Sequence, residues 1–409
     1  MRYNLIMEDE NMMTYDTGSN DFTLADGSPV TFNVEKNSEK KKVHVRISLG
    51  MACNMSCSYC SERQNRTRFI EQVINAKEYA AALMSYIDTH FDYPELITVS
   101  FWGGEPLLYA DIMRDIHREL SAIADGREMR YGLSTNGKLL KDPIFRWLVD
   151  NRIQFSISYD GPGQSFRDLD DVLKPGSVQL ANLRRYLAGG DRGVAFNPVL
   201  HKGNPSLDTY ETYMQELLQW DEVPIGDAPY LRIHDDVSAH YALTEEQLQE
   251  DMTGRLQRIN TGHRLPNSFY IRLFRTLQAK EVPSPCITQD KEKYLAVDLK
   301  GNIWGCHNNV GQYQEENGGN LYGGNIYFGN RVDIPYVALT KRRANRCPDC
   351  LLRYVCGGTC GLTPSKYEEQ NCAIAWYHNF PVFYQMVQMA TLGGKLSAVQ
   401  KIQEEMTLC

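Results

Sequence analysis

The segment Val43-His44-Val45-Arg46-Ile47-Ser48-Leu49-Gly50-Met51-Ala52-Cys53-Asn54-Met55-Ser56-Cys57-Ser58-Tyr59-Cys60 runs a strand directly into a compact group of thiols. Its opening residues alternate apolar and polar side chains, the period of a strand. The cysteines that follow have the spacing C-x3-C-x2-C, short enough for one loop to wrap three thiolates around a compact cluster. Three ligands suit a four-iron cluster with one iron open to a substrate or cofactor, whereas structural zinc takes four. A zinc site completed by a distant residue is the alternative reading of the same triplet.

Outward from this loop, short β-branched runs alternate with amphipathic stretches. The candidate strands are Val43 to Leu49, Leu96 to Trp102, Met129 to Ser134, Gln154 to Tyr159, Val194 to Leu200 and Tyr230 to His234. Helical patterns lie between them at Phe69 to Phe91, Ala110 to Ala124, Asp142 to Asn151, Val178 to Leu187 and Leu207 to Trp220. Such an order predicts an α/β fold, a partial (β/α)6 barrel over 43–240. Chemistry in such sheets gathers at the carboxyl ends of the strands. Here those ends carry the cysteine triplet, Gly103-Gly104-Glu105-Pro106, Ser134-Thr135-Asn136-Gly137 and Ser158-Tyr159-Asp160-Gly161-Pro162, all on one predicted rim.

Before the barrel, residues 1–42 read as a short β extension, with a hairpin from Phe22 to Phe32 turning at Asp26-Gly27. After it, helices at Thr244 to Asn260 and Ser268 to Lys280 form a bridge over 241–285. A cysteine-rich domain follows over 286–380, and 381–409 reads as a terminal helix.

The chain has 409 residues, 42% of them hydrophobic and 23% charged, enough for two or three domains. No apolar run approaches the roughly 18 residues that span a bilayer, and the N-terminus lacks a secretory pattern, so a cytoplasmic protein without a membrane role is expected. A net charge of −8 argues against nucleic acid. The short runs Lys40-Lys41-Lys42 and Lys341-Arg342-Arg343 read as solvated edges. Eleven cysteines are many for a reducing compartment, and their division into an early triplet and a late group of eight implies two cysteine sites.

The triplet, with Tyr59 just before its last cysteine and Gly103-Gly104-Glu105-Pro106 at the next strand end, resembles the radical S-adenosylmethionine (SAM) superfamily. The resemblance implies that Cys53, Cys57 and Cys60 hold a [4Fe–4S] cluster whose open iron chelates SAM. It implies cofactor contacts at Tyr59, Gly103, Gly104, Glu105, Ser134, Asn136 and Ser158, with Glu105 as acceptor for the methionine amino group. Ordinary strand-end caps or turns are the bland reading of Ser134, Asn136, Ser158 and Asp160. Asp160 is also a candidate acid or base.

The late cysteines, Cys286, Cys306, Cys347, Cys350, Cys356, Cys360 and Cys372, read C-x14-G-x4-C, a gap, C-x2-C-x5-C-x3-C, a gap, and C. This order resembles the SPASM extension of peptide- and protein-modifying radical SAM enzymes, which carries two auxiliary [4Fe–4S] clusters, three clusters in all. Carried over, Cys347, Cys350, Cys356 and Cys372 hold the outer cluster, and Cys286, Cys306 and Cys360 the inner one. No further cysteine precedes Cys286, so the inner cluster either keeps an open iron or takes another ligand, with His307 and Cys409 as candidates. A pair of zinc knuckles is the alternative.

Sulfatase-maturing relatives carry an acidic residue directly after the G-x4-C cysteine, and this chain has His307. They also begin the cluster loop nearer the N-terminus. Both departures favour a maturase that crosslinks a ribosomally made precursor peptide through a carbon–carbon or thioether bond. A formylglycine-generating maturase and a non-enzymatic zinc or iron–sulfur scaffold are the alternatives. Base candidates are Asp160, His201, His234, Asp235 and His307. Expected partners are the precursor peptide and an electron donor such as flavodoxin or ferredoxin, with the leader held either by the N-terminal hairpin or by a separate leader-binding protein.

Overall fold

The computed structural model describes all residues except 33–40, 64–73, 191–192, 280, 283–292, 309–312, 315–318, 321, 333–339, 342–346, 362, 392–395 and 402–409. Cys286 and Cys409 lie outside the described residues, as does the start of the helical pattern from Phe69. The chain forms two compact units. One gathers Met1–Asn37, Thr244–Pro285 and Thr340–Cys409, the other Ser38–Leu243 and Cys286–Leu339. Cys306 therefore belongs to one unit and Cys347 through Cys372 to the other, where the sequence suggested one domain over 286–380.

In the first unit, β1 (Arg2–Met7), β2 (Met12–Asp16) and β3 (Asp21–Leu24) form an antiparallel meander. The turn expected at Asp26-Gly27 follows β3, where the Leu24 N–H donates to the Ser28 carbonyl at 2.9 Å and Gly27 takes a φ of 82°.

The second unit is built on five parallel strands in chain order: β4 (Lys42–Ser48), β5 (Leu96–Trp102), β6 (Glu128–Thr135), β7 (Gln154–Ile157) and β8 (Val194–Phe196). Helices α1 (Ala76–His90), α2 (Ala110–Ala122), α3 (Asp142–Asp150), α4 (Val178–Ala188) and α5 (Leu207–Leu218) connect and follow them. Local chemistry starts several of these helices: Asn75, Ser177 and Ser206 each accept N–H groups of the first turn. Buried residues recur at helical spacing, as Met113, Ile116 and Leu120 in α2 and Tyr210, Met214 and Leu218 in α5.

The strand expected over Tyr230 to His234 is reduced to an isolated parallel bridge from Leu200 to Tyr230, and a second such bridge joins Phe196 to Ile225. Pro198, Pro224 and Pro229 carry no N–H, so a continuous ladder cannot form there. On the opposite side, β9 (Tyr294–Asp298) pairs in parallel with β4, and β10 (Asn302–Trp304) adds antiparallel. Beyond the small ladder of β11 (Tyr313–Gln314) and β12 (Gly319–Asn320), β13 (Tyr322–Asn325) and β14 (Asn330–Arg331) complete a mixed nine-stranded sheet. A short helix α6 (Asp236–Tyr241), capped by Asp235, closes the barrel segment.

The two faces of the parallel strands differ. Val43, Val45, Ile47, Ile97, Val99 and Phe101 are buried, whereas Arg46, Ser100, Trp102, Ser134 and Ser156 on the other face are partly exposed. Parallel sheets are commonly apolar on both faces, so a polar, open face marks the working surface.

In the first unit α7 (Glu245–Thr261), α8 (Asn267–Leu277), α9 (Arg353–Cys356) and α10 (Glu368–Ala390) join the meander, with β15 (Thr340–Lys341) pairing β16 (Thr359–Cys360). Tyr15, Phe22 and Phe383 form its aromatic core, with ring centroids 4.6 to 6.0 Å apart. The C-terminal stretch corrects the expectation of a helix over 381–409: α10 stops at Ala390, and β17 (Leu396–Lys401) pairs antiparallel with β1. The sequence Leu396-Ser397-Ala398-Val399-Gln400-Lys401 has the strand period, and an edge of β1 was there to receive it.

Candidate active site

The cysteine loop leaves β4 and is fastened to the ends of its neighbours. Leu49 donates its N–H to the Trp102 carbonyl at 2.8 Å, and Gly104 and Glu105 donate to Gly50 and Ala52 at 2.9 and 2.8 Å. Ala52 donates to the Tyr109 hydroxyl at 3.0 Å, and Ser58 to the Phe166 carbonyl at 2.9 Å. The two glycines of Gly103-Gly104-Glu105 exist for this approach. A Cβ on Gly103 would collide with the Gly50 carbonyl oxygen, and one on Gly104 would stand 2.5 Å from that of Ala52. Cys53, Cys57 and Cys60 are all half-buried on the loop so held.

Glu105 is 1% exposed and turned into the protein. Its Oε1 accepts the Thr135 hydroxyl at 2.7 Å and the Leu107 N–H at 3.0 Å, and its Oε2 accepts the Asn136 N–H at 2.8 Å. Burial pushes its carboxyl up, opposed by those three donors. Two of these bonds, to Thr135 and Asn136, hold the end of β6 against Glu105. Asn136, positioned by it, donates through Nδ2 to Asn54 Oδ1 at 2.8 Å and lies 3.9 Å from Cys53 Sγ. The cysteine loop and the Ser134-Thr135-Asn136-Gly137 turn are thus directly joined.

Asp160 is fully buried and surrounded by donors. Arg167 Nε lies 2.9 Å from Oδ2, His201 Nε2 3.2 Å from the same oxygen, and the Val199 N–H donates to Oδ1 at 2.9 Å. The Tyr59 hydroxyl also donates to Oδ2. His201 Nδ1 accepts the Gly203 N–H at 3.1 Å, which puts the ring proton on Nε2, toward Asp160. Burial raises the Asp160 carboxyl, but Arg167 with the His201 and Tyr59 hydrogen bonds outweighs it and holds the group below its ordinary range. Asp160 is thus saturated with donors, and Tyr59 ties the cysteine loop to it, with its ring 5.0 Å from that of His201. Asp235 caps α6 and pairs with Arg63 at 2.5 Å, another tie on the loop. His234 is half-buried beside it, lowered in pKa by burial and Arg232.

On the polar face, Ser134 Oγ is 2.7 Å from Ser156 Oγ, and the Ser158 N–H donates to the Thr135 carbonyl at 2.8 Å. Above Ser100 in the same sheet, the Arg46 guanidinium carbon lies 4.6 Å from the centroid of Trp102. His307 meets Trp102 edge to face at 5.1 Å, and its Nδ1 is 3.1 Å from the Tyr294 hydroxyl. Burial, then the Arg46 charge, pushes the His307 imidazole down to about 3. Sequence reading named His307 but missed Arg46, Trp102, Tyr294 and Arg167. A cation mid-strand, at one of the alternating polar positions of β4, was the available signal for Arg46.

In the other unit, burial raises the Cys356 thiol to about 11, with Cys350, Cys372 and Cys347 adding to the effect, and Cys350 is raised by burial, Cys347 and Cys372. The four thiols assigned to the outer cluster thus lie within electrostatic reach of one another. Soft thiolates gathered in this way fit an iron–sulfur group, as does the fastened triplet. Among the described residues no three His, Cys, Asp or Glu side chains gather tightly enough to hold a single metal ion, and no helix is long and apolar enough to cross a membrane.

Residues 47–211, from β4 into α5, match the Radical SAM superfamily. This segment is a radical SAM domain. The family implies SAM and a [4Fe–4S] cluster, and the C-terminal cysteine-rich region of the chain fits the SPASM pattern. The radical SAM cyclopropyl synthase TigE of Paramaledivibacter caminithermalis is 24% identical over 194 residues, 43% of this chain and 38% of that protein. An uncharacterized protein of Methanocaldococcus jannaschii is 25% identical over 134 residues, 32% of this chain and 42% of its own length. The chain thus spans less than half of either relative. Among solved structures, anSMEcpe with bound AdoMet and the Cp18Cys peptide superposes with a TM-score of 0.59 at 16% identity, covering 86% of this chain and 99% of that one. Streptococcus suis SuiB bound to precursor peptide SuiA gives 0.51 at 14% identity, covering 88% and 96%. These likenesses establish an α/β radical SAM fold across most of the chain.

Proposed function

We propose that this radical SAM enzyme oxidises a residue of a ribosomally made precursor peptide, closing a carbon–carbon or thioether crosslink. The observation that carries the reading is the second thiol set, Cys347, Cys350, Cys356 and Cys372, gathered in a chain whose radical SAM domain already has its own triplet. A crosslink removes two hydrogens, so a second electron must leave, and an auxiliary cluster gives it a place to go. The solved structures that share the fold include two with peptides bound, anSMEcpe with Cp18Cys and SuiB with SuiA, which supports a peptide substrate.

In this reading Cys53, Cys57 and Cys60 hold the radical SAM cluster. Cys347, Cys350, Cys356 and Cys372 hold the outer auxiliary cluster, and Cys306 supplies a ligand to the inner one. Bound SAM and its cluster supply a 5′-deoxyadenosyl radical able to take hydrogen from an unactivated carbon. The chain's own residues hold and orient. Gly103 and Gly104 bring main chain against the cysteine loop, Asn136 ties that loop to the end of β6, and Ser134 and Ser158 present polar groups on the rim. Tyr59, Asp160 and Arg167 keep the loop fixed from below. His307, uncharged in this setting, is a proton acceptor only for a strongly acidic intermediate, since its conjugate acid is itself strong. A low-potential donor such as flavodoxin or ferredoxin supplies the electron, and a separate protein presents the leader.

The test is anaerobic incubation of reconstituted enzyme with SAM, reductant and a small peptide encoded beside its gene. The expected result is 5′-deoxyadenosine together with peptide that has lost two hydrogens and does not react with a carbonyl reagent. A carbonyl-reactive product would assign the formylglycine type instead, and cofactor cleavage with unchanged peptide would sink the peptide reading.

A further inference from the structure

We propose that Arg46 is a carboxylate anchor on the polar face of the sheet, taking the side chain of an acidic residue in the substrate. Arg46 lies mid-strand in β4, pointing to the partly exposed face. Its neighbours in the same row are Ala296 on β9 and Ser100 on β5, with Gly132 next on β6. No charge stands beside it in that row, and small side chains leave room over it. Its Nε is buried without a hydrogen-bond partner. A buried donor left without an acceptor is costly, and a ligand oxygen would relieve that cost.

Trp102 decides which part of the guanidinium is available. The group stacks over the indole at 4.6 Å, so its face is covered and its edge remains for a ligand. Along that edge Nε–H and an Nη–H form the fork that fits both oxygens of a carboxylate. His307, edge-on to Trp102 and fixed by the Tyr294 hydroxyl, keeps the indole in place. A cation on an open sheet face, in a chain of net charge −8, selects for an anion of modest size. Assigning the carboxylate to an acidic peptide residue rests on the function proposed above; the anion site itself does not.

The test is labelling of guanidinium groups with phenylglyoxal on the anaerobic holoenzyme, with modification at Arg46 read by mass spectrometry. The probes are N-acetylglutamate N-methylamide, its glutamine counterpart and SAM. Without probe Arg46 should be labelled, and the glutamate probe should slow that labelling about tenfold, the scale of a charge-assisted hydrogen bond, while the glutamine probe leaves it unchanged. Failure of Arg46 to label, equal protection by both amides, or protection by SAM alone would each overturn the proposal, the last by assigning the carboxylate to the cofactor. With a processed peptide, Arg46→Met should raise KM far more than it lowers kcat, and a Glu-to-Gln change in the peptide should then cost nothing further. If no peptide is processed but selective protection holds, the anchor stands and the peptide reading falls.

Discussion

Asp160 concentrates the electrostatics of the site in one side chain. Its carboxylate meets Arg167, His201, Tyr59 and the Val199 N–H with no exposure to solvent. Asp160→Asn leaves the buried Arg167 without its counter-charge, and breaking such a pair costs about 3–5 kcal/mol. Because the folded carboxyl is held below its ordinary range, its contribution is fully present above the unfolded-state pKa and disappears as pH falls through the folded value. Denaturant titrations should show a large gap between wild type and Asp160→Asn at neutral pH that closes in acid. A variant of wild-type stability that retains its cluster but gives no product would instead make Asp160 a base.

At the scale of elements, the cysteine loop takes its shape from where strands β5, β6 and β7 end. Gly103 and Gly104 let the end of β5 lie backbone against backbone with residues 50–52, and Glu105 then holds the turn after β6 through two hydrogen bonds, to Thr135 and Asn136. Gly104→Ala sets a methyl carbon 2.5 Å from the Ala52 carbonyl oxygen, main chain that cannot rotate away. Overpacking of this kind costs about 1–3 kcal/mol and displaces the loop. Iron bound by the triplet should fall by more than half while circular dichroism stays that of wild type, measured by iron content and the electron paramagnetic resonance of the reduced cluster. Unchanged iron would mean that the glycines do not set the loop.

For the whole molecule, the division of labour between two thiol sets is the property to test. Cys350 and Cys356 lie in the first unit with Cys347 and Cys372, outside the radical SAM domain. Replacing Cys350 and Cys356 together by Ser should remove about the four irons of one [4Fe–4S] cluster and leave reductive cleavage of SAM running, while the crosslinked product disappears. Iron analysis and chromatography of 5′-deoxyadenosine and peptide separate these effects. Loss of SAM cleavage as well would show that the two sets do not act independently.

By itself the sequence determined what depends on local spacing and period: the triplet loop, the β/α order, the rim of strand ends and the cysteine intervals that fit SPASM. The caps Asn75, Ser177 and Ser206 act within a few residues, yet the strand expected from Val194 to Leu200 ends at Phe196, two residues before Pro198. Tertiary structure alone decided the rest. Arg167 and His201 reach Asp160 only once β7 and β8 lie side by side, and β9 joins β4 from far along the chain. The terminal strand forms because β1 offers it an edge. Glu105 meets donors from another strand end, Thr135 and Asn136, and no spacing rule encodes which groups a buried carboxylate will meet.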